Sequence, residues 1–139
     1  MQVYFPALLA PLLRSLLTLT SISIIQADII ISYKIRSLSK EMPFWSAFGL
    51  WFTFKPVLVR TVPDGVELSS NLEESWERFG ATWDGPTFVF VAHRKEESMR
   101  WDVPDDDIDL LSGVGAHGTL SRKGDETFES LLFMQMEDL

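Results

Sequence analysis

The chain has 139 residues, 46% of them hydrophobic and 23% charged, which is one ordinary domain with material for its own core. It has no cysteine, and this excludes disulfides, zinc–thiolate and iron–sulfur centres and a cysteine nucleophile. The net charge of −8 is unevenly spread: residues 1–60 hold six basic and two acidic side chains (+4), residues 61–139 six basic and eighteen acidic ones (−12). An acidic whole with scattered cations and no Lys/Arg run argues against nucleic acid as the main partner, because phosphate binding needs clustered positive charge. The only asparagine, Asn71, stands before Leu72-Glu73, so no N-glycosylation sequon exists.

Residues 3–33 are the most apolar stretch. A spanning helix needs about 20 apolar residues. Here Arg14, Gln26 and Asp28 interrupt the run, and the best window, Ala7 to Ile25, still contains Arg14 and Pro11. A charge near a helix centre costs about 2.5–3.5 kcal/mol on the insertion scale. A secretory leader wants a positive start, and Met1-Gln2-Val3-Tyr4 supplies none. The favoured expectation is a soluble amphipathic helix from about Pro6 to Leu19. Leu8, Leu9, Leu12, Leu13, Leu16 and Leu17 recur with a four-residue step, and Pro11 sits near the first turn. A membrane-anchored chain with an acidic C-terminal domain is the alternative.

Ser21-Ile22-Ser23-Ile24 alternates and predicts a short strand. Ile31 to Lys40 alternates further, with Ile31, Tyr33 and Ile35 on one face, and predicts a half-buried strand. In residues 44–54, six of eleven side chains are aromatic. Trp45, Phe48, Trp51 and Phe52 would share a helical face, flanked by Lys40 and Lys55. Such a segment suits a core element, a partner interface or a membrane surface.

Val57–Val62, the turn Pro63-Asp64-Gly65 and Val66–Leu68 predict a hairpin. Ser70-Asn71-Leu72-Glu73 fits a capping box, opening a helix whose inner face is Leu72, Trp76 and Phe79 and which Gly80 stops. Thr87–Ala92 reads as a strand buried on both faces, returning along Met99–Val103. Pro104–Leu111 predicts a short helix with acids in its first turn. Residues 113–125 form a glycine-bearing loop, and Glu126–Leu139 leans to helix.

Three patterns invite chemistry. Asp105, Asp107 and Asp109 have the first spacings of a calcium loop, but Leu110 stands where glycine is needed and Ala116 where glutamate is needed. Gly113-Val114-Gly115-Ala116-His117-Gly118 matches a dinucleotide fingerprint without the βαβ context it requires. His93 and His117 are the two histidines and the only candidates for an unrecognised enzyme site.

The expected fold is a single α+β domain over residues 1–139. It has a mostly antiparallel sheet of five or six strands, an N-terminal leucine-rich helix and a helix at 70–79 packed on the sheet. The expected function is non-enzymatic binding or assembly, as in a small matrix-like or accessory structural protein, cytoplasmic or peripheral to a membrane. No catalytic residue, cofactor or metal is assigned. The partner would be another copy or another protein, or an anionic membrane surface, met through Leu12, Leu16, Lys40, Trp45, Phe48, Trp51, Phe52 and Lys55.

Overall fold

A computed structural model describes residues 8–22, 27–59, 77–78 and 87–137. The first element is helix α1, Leu9–Ser21, which buries Leu9, Ala10, Leu13, Leu16, Leu17 and Thr20. That is one stripe at helical spacing, and Pro11 falls in the first turn, where its missing N–H has no intrahelical partner to lose. The predicted helix is therefore present, and Leu16 belongs to its inner face. Ser21 closes it, so the strand expected from Ser21 begins in helix instead; residues 23–26 lie outside the described residues.

Strand β1, Ile29–Lys34, follows the predicted alternation, burying Ile31 and Tyr33 and exposing Ile30 and Lys34. It does not continue to Lys40. The chain turns at Ser37 and enters helix α2, Leu38–Trp51. The cause is Glu41, only 2% exposed, whose Oε1 accepts the backbone N–H groups of Arg36 (3.1 Å) and Ser37 (3.0 Å) and the Tyr33 hydroxyl (2.7 Å). One carboxylate thus satisfies the orphan donors ahead of the helix and locks the strand to it.

Helix α2 buries Phe44, Trp45, Ala47, Phe48, Gly49, Leu50 and Trp51, nearly its whole circumference beyond the first turn. A helix apolar all round must be enclosed. The sheet lies on one side, and α1 and the C-terminal elements lie on the others. Strand β2, Phe52–Pro56, starts directly at the helix end, with the Phe52 N–H bonded to the Phe48 carbonyl. Phe52 therefore opens a strand instead of extending the helical face.

Strands β3 (Leu58–Val59) and β4 (Glu77–Arg78) form a short antiparallel ladder. Strand β5, Thr87–Arg94, is the centre of a three-stranded sheet of order β1-β5-β2, antiparallel at both contacts. The fold is α+β with a small antiparallel sheet. Among the described residues, the main sheet has three strands and not five or six: residues 99–103 adopt other structure, Ser21 closes α1, and Leu58–Val59 pair in the separate two-stranded ladder. After β5 the chain makes a 3₁₀ turn at Glu97–Arg100 where a returning strand was expected. Ser98 is fully buried there and spends its hydroxyl on the Lys95 and Trp51 carbonyls. The 70–79 helix is overturned at Glu77–Arg78, which pair as strand; the rest of it, and the predicted turn at 63–65, lie outside the described residues.

Helix α3, Asp107–Leu111, is capped by the Asp106 carboxylate on the Asp109 N–H (3.0 Å), so the acids at its start serve the helix terminus. The glycine loop follows, with Gly113 and Gly115 at positive φ against the Lys123 and Asp102 carbonyls. The Lys123 ammonium ties it by donating to the carbonyls of Gly113 (2.9 Å) and Ser121 (2.6 Å). Helix α4, Thr127–Glu137, inserts Phe128 among Tyr33, Trp45, Phe88 and Phe90.

The loop docks on α2 through Asp125, whose N–H reaches the Ser46 carbonyl (3.1 Å) and whose carboxylate caps Thr127 (2.9 Å). A Cβ on Gly49 would overlap that carboxylate. Gly49→Ala is expected to destabilise the chain by about 1–3 kcal/mol, the range for overpacking a closed site. Urea unfolding measures this, and an unchanged midpoint would mean that the loop does not seat on α2.

Candidate functional site

The eight residues expected at an interface separate by burial. Trp45, Phe48, Trp51 and Phe52 are each at most 1% exposed, and Leu16 is 3% exposed. The folded chain does not present these five to a partner. Trp45 stacks on Phe128 at 5.1 Å and meets Tyr33, Phe44, Phe48, Phe54 and Phe90 edge-on or tilted. The aromatic segment is the core of the molecule. Leu12 is half-buried against that core, while Lys40 and Lys55 are exposed.

The surface carries the charge asymmetry differently from the sequence halves. On the face of the sheet turned away from α2 stand Ile30 and Lys34 of β1 and Thr53 and Lys55 of β2, all exposed. The register places Ile30 and Lys55 in one row across Val91, and Thr53 beside His93. Val89 and Thr87, farther along the same face of β5, are buried. The acids lie on the helical side: Asp102, Asp105, Asp106 and Asp107 are exposed around Ile108, itself 70% exposed. Helix α3, which carries Ile108, packs on α1 and α2. Lys34 and Lys55 thus stand on the outer sheet face, which also carries Asp28 against His93, and the aspartates at the start of α3 stand on the helical side.

The two histidines are not brought together. His93 sits on β5 with Nδ1 2.8 Å from Asp28 Oδ1, a close approach out of line for a hydrogen bond. Thr53 shares its row, so a hydroxyl, an imidazole and a carboxylate lie side by side on an open strand face. His117 is in the glycine loop at φ 58°, its ring 4.7 Å from that of Trp101. Neither histidine lines the clefts beside α1.

The feature that sequence reasoning missed is a pair of arginines. Arg94 ends β5 and is 8% exposed. Its Nε donates to Ser98 Oγ (2.6 Å), Nη1 to the Leu17 carbonyl (3.1 Å) and Thr20 Oγ1 (3.0 Å), and Nη2 to the Ser98 carbonyl (3.0 Å). Every acceptor is neutral. The rings of Trp51 and Phe52 lie 5.5 and 5.9 Å from the guanidinium carbon. Burial lowers the Arg94 pKa from its ordinary value, because the charged form has lost solvent.

Arg14, from α1, donates to the carbonyls of Pro104 (2.7 Å) and Asp105 (3.2 Å) and pairs with Asp107 at 2.9 Å. Arg14 and Arg94 both line one open cleft of about 310 Å³, with Thr18, Ser21, Met99, Trp101 and Asp105 among its other walls. One signal for Arg94 was present in the sequence. Phe88, Phe90 and Ala92 point inward at a period of two, and the next inward position is 94.

Among the described residues, no helix is long and apolar enough to cross a membrane. Comparison with protein families, with curated proteins and with solved structures finds no match to this chain.

Proposed function

We propose that the protein is a non-enzymatic binding protein that assembles head to tail, the lysine-bearing sheet face of one copy meeting the acidic α3 end of the next. The observation that carries this is the placement of Lys34 and Lys55 on the outer sheet face and of Asp102, Asp105, Asp106 and Asp107 on the helical side, each set with an exposed aliphatic side chain: Ile30 in the row of Lys55, and Ile108 next to the aspartates in α3. A contact between two different patches of one chain is heterologous and leads to rings or filaments. Charge complementarity sets the register and the encounter rate, and burial of Ile30 and Ile108 supplies the apolar contribution.

Sedimentation equilibrium at about 0.02 M and about 0.5 M salt tests it, since the Debye length falls severalfold over that range. Masses above the monomer are expected at low salt and the monomer at high salt. The double substitution Lys34→Glu with Lys55→Glu is expected to leave a monomer at both. A wild-type monomer at low salt overturns the assembly reading. Flotation of that monomer with anionic vesicles, lost in the double variant, would assign the lysine face to a membrane surface instead.

A further inference from the structure

We infer that the cleft between α1 and the 94–105 segment is a binding site for a small organic carboxylate with an apolar body, held between Arg14 and Arg94. The argument starts from the charge. Arg94 is buried, and its four hydrogen bonds all go to neutral oxygens, with no carboxylate in contact among the described residues. A buried cation without a counter-charge is costly, and the dipole of α1, whose last turns supply the Leu17 carbonyl and Thr20, offsets only part of that. A guanidinium has five N–H groups. The bonds named leave one Nη2 hydrogen of Arg94, and the Nε and one Nη1 hydrogen of Arg14, without a protein acceptor.

The second observation is the cavity. Its volume of about 310 Å³ is at the small end of ligand sites. Leu17, Met99, Trp101 and Val103 give it an apolar wall. The Trp101 ring is held by edge contacts with Trp51 at 5.4 Å and with His117 at 4.7 Å. An ordered aromatic wall in the same cleft as two arginines suits an apolar body ending in a carboxylate. Two carboxylates stand near the two cations, Asp105 at the rim and Asp107 on Arg14, so a monoanion is favoured over a dianion. This site adjoins the acidic patch at Ile108, sharing Asp105 with it, and lies away from the lysines of the outer sheet face.

The probe is benzoate, with benzamide as its neutral counterpart. The titration is followed by the arginine Nε–H and tryptophan Nε1–H resonances of the full chain. Saturable shifts at Arg14, Arg94 and Trp101 are expected with benzoate and none with benzamide. Arg14→Gln is expected to weaken benzoate at least about tenfold, since a hydrogen bond to a charged group contributes roughly 1.5–3 kcal/mol. Arg14 is part-exposed, so this variant tests the site without removing the buried Arg94 tether. Trp101→Leu is the second variant, also expected to weaken binding. Absence of saturation by benzoate, equal shifts with benzamide, or unchanged affinity in both variants overturns the inference.

Discussion

Trp45→Ala is expected to lower the free energy of unfolding by about 3–5 kcal/mol, the range for removing a large aromatic side chain from a closed core. The ring is 1% exposed and touches the sheet through Phe54 and Phe90, its own helix through Phe44 and Phe48, and the C-terminal helix through Phe128. No neighbour can collapse into the space without breaking another of these contacts. Trp45→Phe is expected to cost less than half as much. Its smaller ring keeps most of the stacking on Phe128 and removes an indole N–H that is buried without a hydrogen-bond partner. Urea unfolding followed by far-UV circular dichroism measures both. A surface role for Trp45 predicts the opposite pattern: near-wild-type stability and altered association.

Elements with a clean period were legible in the sequence. Helix α1 shows its stripe in the leucine spacing, β5 in its unbroken apolar run, and α3 in the acids before Ile108. Helix α2 was legible only in the helical spacing of Trp45, Phe48 and Trp51; its start at Leu38 and its enclosure were not, because a helix enclosed by sheet and helices has no polar face to give a period. The strand read through to Lys40 failed for a tertiary reason. Ser37 and Ser39 prolong the alternation, but a carboxylate at position 41 gathers the amides at 36 and 37 and turns the chain. The acids around the calcium-like spacing of Asp105, Asp107 and Asp109 have structural partners. Asp106 caps the helix and Asp107 pairs with Arg14.

The arginine cleft was hidden for a different reason. Arg14 and Arg94 are eighty residues apart, and each looked ordinary where it stood: one as a break in an apolar run, the other as a charge just past the end of an apolar strand. What joins them is the packing of α1 over the end of β5, seen in the bond from Arg94 to the Leu17 carbonyl. No local pattern encodes that juxtaposition. The inward phase of β5 encodes half of it, since a cation on a buried phase must find acceptors inside. Thr20, Ser98 and Leu17 supply them.

Loss of the Glu41 carboxylate is the other change expected to have a large effect. Glu41→Ala leaves the Tyr33 hydroxyl buried without its acceptor and frees the amides of Arg36 and Ser37. Each bond to a charged acceptor is worth about 1.5–3 kcal/mol, and bonds sharing one acceptor do not add fully, so a loss of about 3–5 kcal/mol is expected. Glu41→Gln, which keeps an acceptor oxygen but adds two donors, should fall between. The pair also sets an alkaline limit. Burial raises the Tyr33 pKa, and the hydrogen bond to Glu41 and the charge of that carboxylate raise it further. The phenol therefore keeps its proton in the folded state after the unfolded chain has lost it. The sign follows: the contribution is complete below the unfolded value near 10 and falls as pH rises above it, by up to about 1.4 kcal/mol per pH unit. Tyr33→Phe removes the titrating proton. The stability curves of wild type and this variant, measured by urea unfolding from about pH 8 to about pH 11.5, should converge above about pH 10. The wild type loses its advantage there because only its phenol must ionise on unfolding. Curves that stay parallel throughout would show that the Tyr33 hydroxyl is not held by a buried carboxylate, and the turn that starts α2 would need another cause.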